Sequence, residues 1–196
     1  MMQVLEKGDC PVSVFFIKSF ICRKGFRPHR PLMSKTKPLM SKTKKRLLFI
    51  CLGNICRSPA AEGVMQHLVE HAGRAEEFVI DSAGIGNWHV GELPDYRMRQ
   101  RGARRGYQFD SRARQFTPDD FDRFDLILVM DRQNLRDVLR QQRTEDDALK
   151  VKMLTDFTVR FRGTTAVPDP YYGTDADFDH ALDLIEDACA GLLETL

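Results

Sequence analysis

Cys51 and Arg57 are separated by five residues in Ile50-Cys51-Leu52-Gly53-Asn54-Ile55-Cys56-Arg57-Ser58-Pro59, and that spacing defines a chemistry. Five residues let the backbone curl so that the amides of Leu52, Gly53, Asn54, Ile55, Cys56 and Ser58 face a common centre and surround phosphoryl oxygens. Gly53 is expected to take the unusual dihedrals that the curl needs. Arg57 closes the ring, because a planar guanidinium grips two phosphate oxygens at once and does not lose its charge. A thiol beside a cation and a helix N-terminus is favoured as thiolate, its nucleophilic form. The loop reads as an anion cradle that carries its own nucleophile.

The flanks place this cradle. Arg46-Leu47-Leu48-Phe49-Ile50 is a short apolar run suited to a buried parallel strand, and Ser58-Pro59 signals a helix start. The loop then lies at a strand's carboxyl end, where open α/β sheets bind ligands and a helix offers free amides to an anion.

Cleaving a phosphate ester of a phenol also needs a proton donor, because phenol has a pKa of about 10. Asp169-Pro170-Tyr171-Tyr172-Gly173 supplies a carboxyl on a stiffened segment beside two aromatic rings. Taken alone, this stretch reads equally as an Asp-Pro turn with two packing tyrosines. Trp88, the only tryptophan, lies in the glycine-spaced loop 84–91 and reads equally as a core residue. Cys56 shares the tight turn with Cys51, so the two thiols form a candidate redox pair; the alternative is that Cys56 packs behind the loop.

The stretch CLGNICRSPAAE resembles the active-site loop of the low molecular weight protein tyrosine phosphatases. The resemblance extends from Arg46 to Leu196 through DSAGIGNWHVGELPD at 81–95, ARQFTPDDFDRFDLILVMDRQNLRD at 113–137 and DPYYG at 169–173. It implies a metal-independent protein-tyrosine phosphatase without a cofactor. Cys51 would be the nucleophile, Arg57 the phosphate clamp and Asp169 the general acid and base. Trp88, Tyr171 and Tyr172 would wall the substrate pocket, and Ser82 with Asn54 would brace the loop. The expected substrates are phosphotyrosine-containing proteins, with a tyrosine kinase as a candidate partner and the chain a monomer or weak dimer. Ser111 stands where mammalian relatives often carry a histidine thought to support the loop.

Three competing readings can be told apart by particular residues. An arsenate reductase of the same fold passes electrons through two further cysteines, whereas only Cys189 lies downstream here. Phosphoarginine phosphatases resemble this loop with a threonine where Ile55 stands, and a branched apolar residue there favours an aryl ester. A module that binds phosphotyrosine without turnover would not need both Cys51 and Asp169.

The elements that must position these residues alternate in type. Ser58 to His71 reads as a helix, Glu77 to Ala83 as a strand, Phe124 to Met130 as a strand, Asp131 as the cap of a helix, and Ala148 to Leu154 as a strand. Phe178, Ala181, Leu182, Ile185, Ala188, Cys189, Leu192, Leu193 and Leu196 repeat at helical spacing, predicting a C-terminal helix docked on the sheet. The expectation is one α/β domain over 45–196, with a mostly parallel four-stranded sheet and helices on both faces. Arg97, Arg99, Arg101, Arg104 and Arg105 read as a solvated helix face.

Residues 1–46 carry twelve Lys or Arg against two acids, and the remainder eighteen against twenty-six, so the overall +2 hides a basic arm on an acidic domain. That arm contains PLMSKTK twice in tandem, at 31–37 and 38–44, and 1–44 is expected to be a flexible extension. Neither nucleic-acid binding nor a membrane span follows: the apolar run 11–22 is too short to cross a bilayer. It also lacks the marks of a secretory signal, so the expected compartment is the cytoplasm. His67 and His71 are four apart but lie in no HExxH pattern, so no metal is expected, and a Walker lysine is absent from the loop.

Overall fold

The computed structural model describes residues 43–196; the basic extension, with its repeat and expected flexibility, lies outside the described residues, save for Thr43 and Lys44. Four strands, β1 (Lys45–Cys51), β2 (Phe78–Gly84), β3 (Leu126–Val129) and β4 (Val151–Met153), form one parallel sheet in the order β2-β1-β3-β4. Its helices are α1 (Arg57–His71), α2 (Tyr96–Arg104), α3 (Asp120–Arg123), α4 (Arg132–Leu139), α5 (Glu145–Leu149) and α6 (Asp175–Thr195). The strand order reverses direction at β1, and the carboxyl end of β1 is therefore the switch point of the sheet.

Strand periodicity divides the core. Leu47, Phe49 and Cys51 face one layer with Val64 and Met65 of α1 and Leu182 and Ile185 of α6, whereas Leu48 and Ile50 face the other with Phe121 and Val138. Both layers are apolar because helices cover both faces, as the near-continuous run LLFI requires.

Several boundaries differ from expectation. The helix behind the loop begins at Arg57, so Ser58 is inside its first turn and the cap position falls to Cys56, which makes no capping bond. β2 begins one residue late because Ala75–Glu77 forms a 3₁₀ turn. The third strand shrinks to Leu126–Val129. The stretch from Ala148 is not extended at its start. Thr144 caps α5 by accepting from the Asp147 amide, so Ala148 and Leu149 are helical and β4 keeps three residues. α6 starts three residues before Phe178 on a Thr174–Asp177 capping box, and it packs on α1, α2 and a 3₁₀ turn at Leu154–Phe157 while sharing the core layer that β1 faces.

Of the five arginines on and just after α2, Arg104 is exposed as a solvated face requires, but Arg97, Arg99, Arg101 and Arg105 are partly buried. Arg101 pairs with Asp175 and Asp179, and Arg105 with Asp179, Asp183 and Glu186, so residues four apart meet carboxylates four apart on α6. The complementary period lay on another helix, some eighty residues away. Among the described residues no helix is long and apolar enough to cross a membrane.

Candidate active site

β1 delivers Cys51 at its last residue, and α1 takes over at Arg57, so the loop between them is held at both ends. The left-handed residue in it is Asn54, with φ of 57°, and not Gly53. Asparagine tolerates that region better than other non-glycine residues, and here its side chain is fully engaged. Asn54 Nδ2 donates to Ser58 Oγ at 3.0 Å and Ser82 Oγ at 2.8 Å, while Oδ1 accepts from the Arg114 amide at 2.9 Å. Ser82 Oγ in turn donates to Glu62 Oε2 at 2.6 Å. Burial pushes the Glu62 carboxyl up, against the Ser82 and Ser111 hydroxyls, which favour its charged form.

Gly53 has a different reason to be small. A Cβ on it would stand 3.2 Å from the His89 ring, and one on Gly84 would stand 2.9 Å from the Gly53 carbonyl carbon and 3.0 Å from the Asn54 nitrogen. The loop is thus laid directly on the end of β2. Ile85 and Gly86 amides fasten it further by donating to the carbonyls of Cys51 and Leu52.

Around this loop lies a pocket of about 330 Å³, lined by Cys51, Leu52, Gly53, Ile55, Cys56, Arg57, Trp88, His89, Asp169, Tyr171 and Tyr172. Most of the residues singled out in the sequence meet here. Trp88 is 68% exposed and Tyr172 97% exposed, so they form the rim, while Tyr171 is half-buried with its ring edge-on to Tyr172. Asn54, Ser58 and Ser82 do not line the pocket. They lie beneath the loop, where Ser58 Oγ contacts Cys51 Sγ at 3.0 Å and can donate to it. Among the described residues, the amides of Gly53, Asn54, Ile55 and Cys56 make no hydrogen bond with the protein. The first turn of α1 adds further amides that lack a helical partner.

Arg57 is buried, yet it stays charged. Burial works against the guanidinium, but Cys51, Asp169 and Asp131 outweigh it and raise its pKa above the ordinary arginine value. Nη1 donates to Asp131 Oδ2 at 2.6 Å and to the Val167 carbonyl at 3.1 Å, and Nη2 donates to Asp169 Oδ2 at 2.7 Å. Nε is buried without a hydrogen-bond partner. Asp131 was legible only as the cap of α4, which it is, through its other oxygen and the Asn134 amide at 2.7 Å. Its second role depends on β3 running beside β1, a contact that local sequence does not contain. Glu62 and His89 were likewise missed. Cys56 is buried, and that burial, with Cys51 adding to it, pushes its thiol up.

A thiol, a fixed cation, free amides and a carboxyl converge within one pocket, and that set suits attack on a phosphoryl group. The sequence from 46 to 196 matches the model of the low molecular weight phosphotyrosine protein phosphatases. The chain belongs to that family. A Synechocystis relative named as a low molecular weight protein-tyrosine-phosphatase is 52% identical over 151 residues, covering 77% of this chain and 96% of the relative. Among solved structures, a protein tyrosine phosphatase of Entamoeba histolytica is 43% identical with a TM-score of 0.75, covering 78% of this chain and 96% of that one. Drosophila arginine phosphatase is similar as well, at 30% identity and a TM-score of 0.70 over 76% of this chain and 96% of its own. The low molecular weight phosphatase match begins one residue after Lys45, the start of β1.

Proposed function

We propose that this chain hydrolyses phosphotyrosine in proteins by two displacements at phosphorus. Cys51 thiolate attacks in line and forms the S–P bond while the P–O bond breaks, and Asp169 gives its proton to the departing phenolic oxygen. Water then attacks the cysteinyl phosphate, Asp169 takes a proton from it, and the S–P electron pair returns to sulfur as thiolate and inorganic phosphate leaves. Arg57 and the loop amides hold the phosphoryl oxygens in both steps, and neither step calls on a metal. The observation that carries this reading is Arg57: a buried guanidinium beside Cys51 whose Nε lacks a partner and whose Nη2 already reaches Asp169.

The pocket walls favour an aryl ester. Ile55, Trp88 and Tyr171 offer apolar and aromatic surface to a ring, whereas a guanidinium leaving group would be better served by carboxylates on those walls. The likeness to Drosophila arginine phosphatase supports phosphoarginine as the second reading. Arsenate reduction is disfavoured because Cys189 is wholly buried on α6, where its sulfur faces the Ala61 carbonyl at 3.8 Å, and it does not line the pocket.

Turnover of matched phosphotyrosine, phosphoserine and phosphoarginine peptides with a chelator present tests the assignment. Phosphotyrosine should dominate without metal. A preference for phosphoarginine, or rates restored only by a divalent cation, would overturn it. The two thiols also provide an oxidative brake in this account: Cys51 oxidised by peroxide to the sulfenic acid condenses with the Cys56 thiol, releasing water and forming a disulfide. Reductant should then restore wild-type activity but not that of Cys56→Ser, and equal recovery of the two would remove Cys56 from that role.

A further inference from the structure

Arg97, in the first turn of α2, ties the phosphate loop to the segment that carries Asp169. On one side its Nε and Nη2 donate to Asp95 Oδ1 at 3.1 Å and Oδ2 at 2.8 Å, a fork that grips both carboxylate oxygens. Asp95 is itself fastened to the loop, because its amide donates to the Ile55 carbonyl at 2.7 Å. On the other side Arg97 Nη2 donates to the Tyr171 carbonyl at 2.9 Å, and the guanidinium lies 5.7 Å from the Tyr171 ring centroid. Its remaining face rests 4.5 Å from the Phe178 ring, which is buried at the start of α6. The Tyr171 amide donates to Asp169 Oδ1 at 3.2 Å. Hence one rigid planar group stands between Ile55 on the nucleophile's loop and the residue that orients Asp169.

We propose that Arg97 is a positioning residue for proton transfer, one that sets the distance between the phosphate loop and the Asp169 segment through Asp95 and Tyr171. The proposal rests on the reading of Asp169 as the proton donor. A mere helix-cap ion pair would need Asp95 alone; the bond to the Tyr171 carbonyl and the contact with its ring serve no cap. Lysine could not replace it, since one ammonium does not form the fork to Asp95 and reach Tyr171 in the same geometry. A small shift of the acid matters most where the leaving group cannot depart without a proton.

The test compares kcat/KM on phenyl phosphate, a poor leaving group, with that on para-nitrophenyl phosphate, a good one, for Arg97→Met, Arg97→Lys and Asp169→Asn. Arg97→Met is expected to lose about tenfold on phenyl phosphate and no more than about twofold on para-nitrophenyl phosphate, with Arg97→Lys between it and wild type. Asp95→Asn keeps the cap acceptor of α2 and weakens the fork, so it should show the same selectivity in smaller measure and serves if Arg97→Met does not fold. Equal losses on both substrates, or none, while Asp169→Asn remains selective for the poor leaving group, would overturn the role of Arg97. If Asp169→Asn itself loses equally on both, the acid assignment has failed and the proposal falls with it.

Discussion

Glu62 shows how a residue outside the pocket enters the chemistry. Its carboxyl is 7% exposed on α1 and accepts from Ser82, which accepts from Asn54, the left-handed residue of the loop. Burial raises its pKa in the folded chain above the unfolded value. The folded state therefore binds this proton more tightly, and stability falls as pH rises from the unfolded value through the folded one, then stays level. Glu62→Gln keeps an oxygen for the Ser82 hydroxyl and removes the buried charge. The two proteins are expected to melt together at about pH 4 and below, where both side chains are neutral, and the variant should gain as pH rises above that. Melting curves across this range check it; a Tm difference that is constant with pH, or that favours wild type as pH rises, would contradict it.

At the scale of elements, the loop is shaped by what it rests on. The end of β2 approaches it so closely that Gly84 has no room for a methyl group, and the obstruction is backbone on both near contacts. Gly84→Ala should therefore push the Gly53–Asn54 segment outward, cost about 1–3 kcal/mol of stability and lower kcat by more than tenfold. Steady-state kinetics with a thermal melt decides this, and a variant with normal kcat would show that the loop does not depend on its seat. Such dependence was not legible in the sequence. Cys51 and Arg57 could be marked because reactive residue types stood in one short, tight stretch, whereas Asp169 needed the family resemblance to set it apart from an ordinary Asp-Pro turn. The left-handed conformation of Asn54, the second partner of Asp131 and the pairing of Arg101 and Arg105 with α6 all depend on elements far apart in sequence coming side by side. Alternation of apolar runs and helical periods likewise made the parallel sheet legible, while α5 was hidden because Ala148 to Leu154 is apolar enough to read as one strand until the Thr144 cap is seen.

At the scale of the whole molecule, family membership covers 46–196, and the strands, helices and pocket described all lie within 43–196. Removing residues 1–44 should leave Tm and kcat/KM nearly unchanged, since the described contact given up is the exposed Lys44–Glu76 pair, and such pairs contribute about 0–1 kcal/mol. A truncated chain that melts well below the full chain would contradict this. The central claim is that phosphate passes through Cys51, and trapping it there is the most direct measurement. Enzyme turning over para-nitrophenyl phosphate is quenched in acid, digested and mapped by mass. The account predicts one phosphoryl group on the peptide containing Cys51, in a yield that rises when Asp169→Asn slows attack by water. A phosphoryl group on another residue, or none at any quench time while turnover proceeds, would contradict it.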